Sequence, residues 1–204
     1  MPTHAYVYLA SQSPRRAQLL DQVGVLHRPL LADADENAEA LEEEHASELP
    51  LDYVRRVALL KLAAARKRLA RRRLEVAPIL VADTTVALGR RIFGKPAHAE
   101  QAAEMLRELS GRSHRVMTAV AVSAGRRSLL LTSISKLRFA ELSEQTIRRY
   151  IASGEPLGKA GAYAVQGRIA AWVDRVEGSY SGIMGLPLRE TTTLLSRARV
   201  RLDL

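Results

Sequence analysis

Hydrophobic positions recur along the chain with two spacings, and each spacing predicts a type of element. Recurrence every three or four residues predicts helices, and short apolar or alternating runs predict strands. Predicted helices run from Pro14 to near Gly24, over residues 52–73 and 97–109, from Ser143 to Gly154, and onward from residues 186–188. Predicted strands cover residues 5–10, 79–81, 115–123, 128–139 and 169–176, with a hairpin over residues 86–93. The chain has no internal repeat, low-complexity tract or linker, so we expect a single domain over residues 1–204.

A carboxylate follows the most apolar of these strands. Asp83 comes directly after residues 79–82, and the hairpin beyond it turns at Gly89. Burying a carboxylate in apolar sequence is costly unless a cation, a metal or hydrogen-bond donors meet it. Lys95, at the far end of the hairpin, is one candidate partner. The alternative is that Asp83 only closes a turn with the two threonines that follow it.

Two arginines fall in the first turn of the first predicted helix. Ser13 suits the N-cap and Pro14 the first helical position, so Arg15 and Arg16 lie where the helix dipole already presents positive potential. A bound anion explains this placement, because helix amides, a serine hydroxyl and guanidinium groups together suit a phosphate. The alternative is that both side chains bend away into solvent.

Three further stretches carry groups suited to an anionic ligand. Residues 33–48 are acidic without a clear period and predict a solvated loop, one or two of whose carboxylates could bind Mg²⁺. Lys61 shares the apolar face of the second helix, where it either snorkels outward or points into a negatively charged cleft. Residues 154–167 are rich in glycine, which allows close approach to a ligand, and include Lys159 and Gln166 as a cation and an amide.

Composition narrows the class of protein. A chain of 204 residues that is 47% hydrophobic can bury a substantial core. It has no cysteine, and its five histidines lack ligand spacing, so disulfides and a histidine-based zinc site are not expected. Its sequence contains no membrane-spanning window and its start lacks the pattern of a signal peptide, so we expect a cytoplasmic protein without a membrane partner.

The charge balance points to an anionic partner. Lysine and arginine number 31 against 22 aspartates and glutamates, a net charge of +9 that suits nucleic acid or a phosphorylated metabolite. Much of the excess lies in residues 66–73, at the end of the second helix, where cations complement the dipole. No aromatic residue interleaves with this run, so we expect a solvated helix end and do not expect nucleic acid to bind there.

Taken as a set, the sequence blocks resemble the Maf family of nucleotide pyrophosphatases. The blocks are Leu-Ala-Ser-Gln-Ser-Pro-Arg-Arg at 9–16, Asp35-Glu36, Asp52-Tyr-Val-Arg with Lys61, Ala-Asp-Thr at 82–84, Gly-Lys-Pro at 94–96, Leu-Ser-Gly-Arg at 109–112 and Gly-Glu-Pro-Leu-Gly-Lys-Ala-Gly-Ala-Tyr at 154–163. They span nearly the whole chain in the order that the family has. The resemblance implies an α/β fold with an elongated mixed β-sheet flanked by helices, and two lobes with a central cleft, as in Maf and ITPase proteins. It also implies a hydrolase that converts a nucleoside triphosphate to the monophosphate and pyrophosphate with a divalent cation, Mg²⁺ or Mn²⁺.

Within that family, the runs at 82–85, 160–167 and 178–181 look like the branch that acts on dTTP and UTP, with modified pyrimidine nucleotides as further candidate substrates. The resemblance implies that Asp83 is the proton acceptor and that Arg15, Thr84 and Gln166 determine substrate choice. Its predicted substrate and phosphate contacts are Ser11, Ser13, Arg16, Lys61, Lys95 and Lys159, and its predicted metal ligands are Glu36 and Asp83.

Two other functions stay open at this point. One is the branch of the same family that acts on 7-methyl-GTP. The other is a non-catalytic nucleic-acid-binding protein acting in cell division, which the charge of +9 supports. A homodimer is left open as well.

Overall fold

The computed structural model describes residues 3–33, 36 and 39–202, in which seven strands form one mixed sheet. The sheet order is β2-β1-β3-β5-β6-β7, and the short β4 pairs with β3 outside that path. Pairs of β1 with β2 and with β3 are parallel, and the other pairs are antiparallel. The strands are β1 Val7–Leu9, β2 His27–Pro29, β3 Ile79–Leu88, β4 Arg91–Phe93, β5 Ser113–Ala124, β6 Arg127–Phe139 and β7 Val173–Glu177.

Helices cover both faces of the sheet. They are α1 Pro14–Gln22, α2 Pro50–Arg71, α3 Ala99–Leu109, α4 Glu144–Ala152, α5 Tyr180–Met184 and α6 Leu188–Arg197, with 3₁₀ turns at Glu39–Glu42, Ala160–Ala162 and Arg168–Trp172. This mixed sheet flanked by helices confirms the predicted fold class. In the described part of the chain, no helix is long and apolar enough to cross a membrane.

Strand β3 decides where the site lies. It pairs with β5 from Leu80 to Ala87 on one side. On the other side β1 pairs only with Ile79 and Leu80, and β4 pairs only from Val86 to Leu88. Because the chain leaves β1 to enter α1, no described strand pairs with residues 81–85 on that side. The edge of β3 is therefore open at its centre.

The two faces of β3 carry different groups at this opening, because successive strand side chains point to opposite faces. Ile79 and Val81 pack against α2, and Leu80 and Ala82 pack against α1 and α6. By the same alternation Asp83 faces α2 and Thr84 faces the opposite side. The alternative that Asp83 only closes a turn is wrong, since the strand continues through it to Leu88.

Three other sequence predictions need correction. Residues 169–176 form a 3₁₀ turn followed by a shorter strand. The acidic segment and the basic end of α2 are not simply solvated, since Glu36 pairs with Arg68 and Arg71. Opposite charges that sequence analysis treated separately are therefore paired in the folded chain.

Candidate active site

A cavity of about 730 Å³ opens at the gap in the edge of β3, a volume typical of small-molecule sites. The predicted site residues that line it are Ser11, Ser13, Arg15, Arg16, Glu36, Lys61, Asp83, Thr84, Lys95 and Lys159. Gln166 does not line it and is exposed. The fold thus gathers residues from distant segments into one concave surface, as the resemblance implies.

The N-terminal end of α1 contributes the arginines. Ser13 is the N-cap and Pro14 begins the helix as predicted, but the Ser13 side chain makes no capping hydrogen bond. Arg16 donates from Nε to the Gly185 carbonyl at 2.8 Å and from Nη1 to Ser11 Oγ at 2.9 Å. Burial lowers the pKa of Arg16, with Arg15 adding to the effect and Asp83 opposing it. The solvent-directed alternative is therefore wrong for Arg16.

Gly185 allows this contact. Its φ of +114° lies in the region that favours glycine. A Cβ there would lie 3.5 Å from Thr84 Oγ1 and 3.6 Å from Arg16 Nε. A side chain at this position would therefore be strained by its backbone conformation, while its Cβ would make ordinary van der Waals contacts with two predicted site residues.

Arg15 differs from its neighbour because its guanidinium has no hydrogen-bond or ion-pair partner in the described part of the chain. It is half-buried on the cavity wall, and burial alone lowers its pKa. Among the residues that the structure describes, none donates to, accepts from or ion-pairs with its side chain. A half-buried cation without a counter-ion suits an anionic ligand.

Asp83 is paired with a cation, Lys61. The aspartate is 6% exposed, and Lys61 Nζ donates to Asp83 Oδ1 at 2.6 Å. Lys61 extends from α2 into the cleft, which decides between the two orientations that the sequence allowed. Lys95 is not the partner of Asp83, which corrects that expectation, because its ammonium pairs with Glu42.

Glu42 joins the two lysines and is the site residue that sequence analysis did not single out. Its Oε1 accepts from Lys61 Nζ at 2.7 Å and its Oε2 accepts from Lys95 Nζ at 2.7 Å. Burial raises the pKa of Glu42, but the two lysines outweigh burial and hold it below its usual range. In the sequence this residue is one of many acids in residues 33–48, and nothing in its immediate neighbours marks it out.

Tyr53 supports this charged group from α2. Its hydroxyl donates to the backbone carbonyl of Glu42 at 2.8 Å. Burial raises the pKa of Tyr53, and the negative charges of Asp83 and Glu42 raise it further, so the hydroxyl keeps its proton. The acidic turn is thereby fixed beside the lysines.

Thr84 lies on the other face of β3 and belongs to a hydroxyl chain. Thr118 donates to the Gly182 carbonyl at 2.7 Å, and the two threonine hydroxyl oxygens are 2.9 Å apart. Since Thr118 has a single proton to donate, Thr84 is the donor between the two hydroxyls. The lone pairs of Thr84 stay available to accept a hydrogen bond in the cavity.

The cavity also has an apolar part on the Thr84 side, which sequence analysis missed. Its side chains are Val86, Phe93, Val116, Tyr163 and Ile183. Tyr163 is fixed by a 2.8 Å hydrogen bond between its hydroxyl and His114 Nε2. Burial lowers the pKa of His114 to about 4, so the ring is neutral at pH 7, and its tautomer decides which of the two groups donates. The alternation along each strand could have indicated which residues share a face. It could not have shown that these faces meet across a cleft, so the apolar wall is not visible in one sequence.

Comparison with known proteins decides the family. The sequence model described as "Maf-like protein" matches residues 6–198. The chain belongs to the Maf family. It is 57% identical to the dTTP/UTP pyrophosphatase of Polaromonas sp., over 99% of this chain and 100% of that protein. It is 60% identical to the dTTP/UTP pyrophosphatase of Cupriavidus metallidurans, over 94% of this chain and 96% of that protein.

A further relative in the Maf family and a solved structure complete the comparison. The dTTP/UTP pyrophosphatase of Albidiferax ferrireducens is 58% identical over 93% of this chain and 95% of its own length. The crystal structure of a nucleoside-triphosphatase, dITP/XTP pyrophosphatase, from Mycobacterium abscessus is 15% identical with a TM-score of 0.37, and the match covers 66% of this chain and 74% of that one. At that TM-score the two structures are too different for either to inform the other.

In this Maf protein, the predicted metal ligands lie in different surroundings. Glu36 accepts from Arg68 Nε at 2.9 Å and from Arg71 Nη2 at 2.7 Å. The hydrogen bond from Arg68 is the main cause that lowers the pKa of Glu36 to about 2. Asp35, quoted with Glu36 in the resemblance, lies outside the described residues. The pairing of Glu36 with Asp83 as metal ligands stays a prediction.

The donor set nevertheless suits a hard cation. Across the described ranges no group of three or more histidine or acidic side chains could hold a metal ion. Asp83 and Glu42 both place an oxygen within 2.7 Å of Lys61 Nζ, so two carboxylates already surround one positive charge. Mg²⁺ is commonly bound by one or two carboxylates, with substrate phosphates and water completing its shell.

Proposed function

We propose that this chain is a nucleoside triphosphate pyrophosphatase that hydrolyses dTTP and UTP to the monophosphate and pyrophosphate. The observation that carries the proposal is a buried carboxylate, Asp83, beside lysines and arginines at the open edge of β3. The names of the relatives at 57% to 60% identity support the same reaction and the same two substrates.

The cations on the cavity wall suit a triphosphate. Arg15, Arg16, Lys61, Lys95 and Lys159 all line the cavity. Phosphoryl chemistry depends mainly on positioning and on neutralising charge, which these side chains supply. No described residue pairs with the guanidinium of Arg15, which can therefore take a new ligand. Lys61 and Lys95 are bound to carboxylate oxygens that a phosphate oxygen can replace.

Asp83 is the proposed general base. It accepts a proton from a water whose oxygen attacks the α-phosphorus, while the bond from that phosphorus to the bridging oxygen of the leaving pyrophosphate breaks. Lys61 holds the carboxylate at 2.6 Å. From there its ammonium group can also stabilise the negative charge that develops on the phosphates. The monophosphate then leaves with the water oxygen.

A divalent cation, Mg²⁺ or Mn²⁺, is proposed as cofactor. Asp83 would hold it, with Glu36 or Glu42 as the second carboxylate and the phosphates as further ligands. When bound, it supplies positive charge that stabilises the phosphates during displacement.

The nucleobase of the substrate is proposed to lie on the Thr84 side of β3. There the apolar wall around Val116 and Tyr163 can pack against a ring, and Thr84 offers a hydrogen-bond acceptor to the N3–H of a pyrimidine. Arg15 is placed to contact the nucleotide from α1. Gln166 lies outside the cavity wall, so its predicted role in substrate choice requires that it approach the nucleobase when substrate binds.

A homodimer and a cytoplasmic location stay predictions.

A panel of triphosphates tests this function. Pyrophosphate release with Mg²⁺ should show a higher kcat/KM for dTTP and UTP than for GTP, ATP and 7-methyl-GTP. We expect a gap of about one to two decades, because an unpaired buried polar group costs roughly 1–3 kcal/mol. Gln166→Ala should reduce the gap if Gln166 contacts the base. Preference for 7-methyl-GTP would move the chain to the other branch of the family, and no release from any triphosphate would favour the nucleic-acid-binding alternative.

A further inference from the structure

The carboxylate of Glu42 bridges two lysines in the cavity. Each of its oxygens accepts from one ammonium group, Lys61 on one side and Lys95 on the other, at 2.7 Å in both cases. The lysines come from different elements, α2 and the segment after β4. Among the described side chains, only that of Glu42 joins them. A phosphate oxygen bound between the same two ammonium groups would have to occupy this place.

The position of Glu42 is fixed by the fold. The residue ends the 3₁₀ turn Glu39–Glu42, and its backbone carbonyl accepts from the Tyr53 hydroxyl at 2.8 Å. The two lysines hold its pKa below the usual range in spite of burial, so its side chain is negatively charged at neutral pH. A negative charge is thus built into the part of the cavity where the cations lie.

We propose that Glu42 is an internal counter-ion that competes with the phosphates of the ligand for Lys61 and Lys95, and so speeds the release of pyrophosphate. The proposal rests on the proposed function and extends it to the product. A polyanion that binds the two lysines must separate them from Glu42 or lie beside its negative charge, and either arrangement weakens its binding. After hydrolysis the carboxylate returns to the lysines as pyrophosphate leaves.

The role of Glu42 as a metal ligand predicts the opposite sign. A metal ligand strengthens the binding of a metal-bound polyanion, and its loss weakens that binding. A counter-ion weakens the binding of the polyanion, and its loss strengthens that binding even without metal. Measuring the affinity for pyrophosphate in the presence of EDTA therefore separates the two roles.

The test is calorimetry of pyrophosphate binding to the full chain in EDTA, with wild type, Glu42→Gln and Glu44→Gln. Glu44 is exposed in the same acidic segment, so Glu44→Gln removes the same formal charge away from the lysines. We expect the Kd for pyrophosphate to fall about two- to fivefold in Glu42→Gln, the scale of one partly exposed ion pair, and to stay unchanged in Glu44→Gln. Melting curves of all three proteins show whether each is folded.

Steady-state kinetics give a second reading. In Glu42→Gln both KM and the inhibition constant of pyrophosphate should fall, whereas structural damage to the site would raise both. Unchanged or weaker pyrophosphate binding in Glu42→Gln, or equal tightening in Glu44→Gln, overturns the proposal. The calorimetry requires no turnover. A wild-type protein that releases no pyrophosphate from any triphosphate would therefore contradict the proposed function, while the pyrophosphate affinities of the variants would still test the counter-ion role of Glu42.

Discussion

Lys61 Nζ lies 2.6 Å from Asp83 Oδ1, and this ion pair joins α2 to the open part of β3. Both side chains are mostly buried, at 21% and 9% side-chain exposure. Burying either charge alone would be costly, so the pair explains how β3 can carry a carboxylate between apolar residues. It also places a negative and a positive group at the only part of the described β3 edge that no strand covers.

Asp83→Asn keeps the shape of the side chain and removes its negative charge and basicity. We expect kcat/KM for dTTP to fall at least about a hundredfold, the scale of the loss of a general base. The amide can still accept from Lys61, so the protein should remain folded. Pyrophosphate release and a melting curve measure the two effects, and wild-type turnover in the folded variant would remove Asp83 from the role of base.

Lys61→Met should destabilise the protein, because it leaves Asp83 as a buried charge without its cation. We expect a loss of about 2 kcal/mol or more in the free energy of unfolding, measured by urea denaturation. The double variant Lys61→Met/Asp83→Asn should recover part of that loss, since no unpaired charge remains. Equal instability of the single and double variants would show that the ion pair is not what Lys61 contributes to stability.

Arg15→Ala tests the anion site at α1. Because no described residue partners its guanidinium, we expect little change in melting temperature and a higher KM for the triphosphate. Arg16→Ala is the matched comparison: it removes the bonds to Gly185 and Ser11, so it should lower the melting temperature. An unstable Arg15→Ala protein with normal kinetics in its folded fraction would contradict the assignment.

His114 should make stability depend on pH. Burial lowers its pKa from 6.5 to about 4, so between those values the unfolded chain binds more protons than the folded one. Stability therefore falls as the pH falls from 6.5 toward 4, by an amount on the order of 3 kcal/mol for this residue. In His114→Gln the loss of melting temperature between pH 7 and pH 5 should be smaller than in wild type. An identical pH dependence in both proteins would rule out this contribution.

The sequence predicted elements with strong local signals better than the cavity. Ser13 and Pro14 marked the start of α1 correctly, and the hairpin turning at Gly89 is confirmed. These features depend on neighbouring residues, whose caps and turns have local physical causes. The continuation of β3 through Asp83 was not visible, because the residue that meets that carboxylate comes from a helix 22 positions earlier.

The charged groups of the site show the same limit. Arg15, Arg16 and Lys61 attracted attention because each breaks a local rule of helix composition, and all three line the cavity. Glu42 breaks no local rule, since an acid in an acidic segment is unremarkable, and its importance comes only from two lysines brought beside it by the fold. Residues whose role depends on distant partners are therefore the ones that a single sequence hides.

The most direct test of the central claim is hydrolysis of dTTP in water enriched in oxygen-18, followed by mass spectrometry of both products. Attack of water at the α-phosphorus predicts that the heavy oxygen appears in the monophosphate and that pyrophosphate carries none. Oxygen-18 in the pyrophosphate, or release of orthophosphate as the first product, would show that water attacks another phosphorus and would contradict the account.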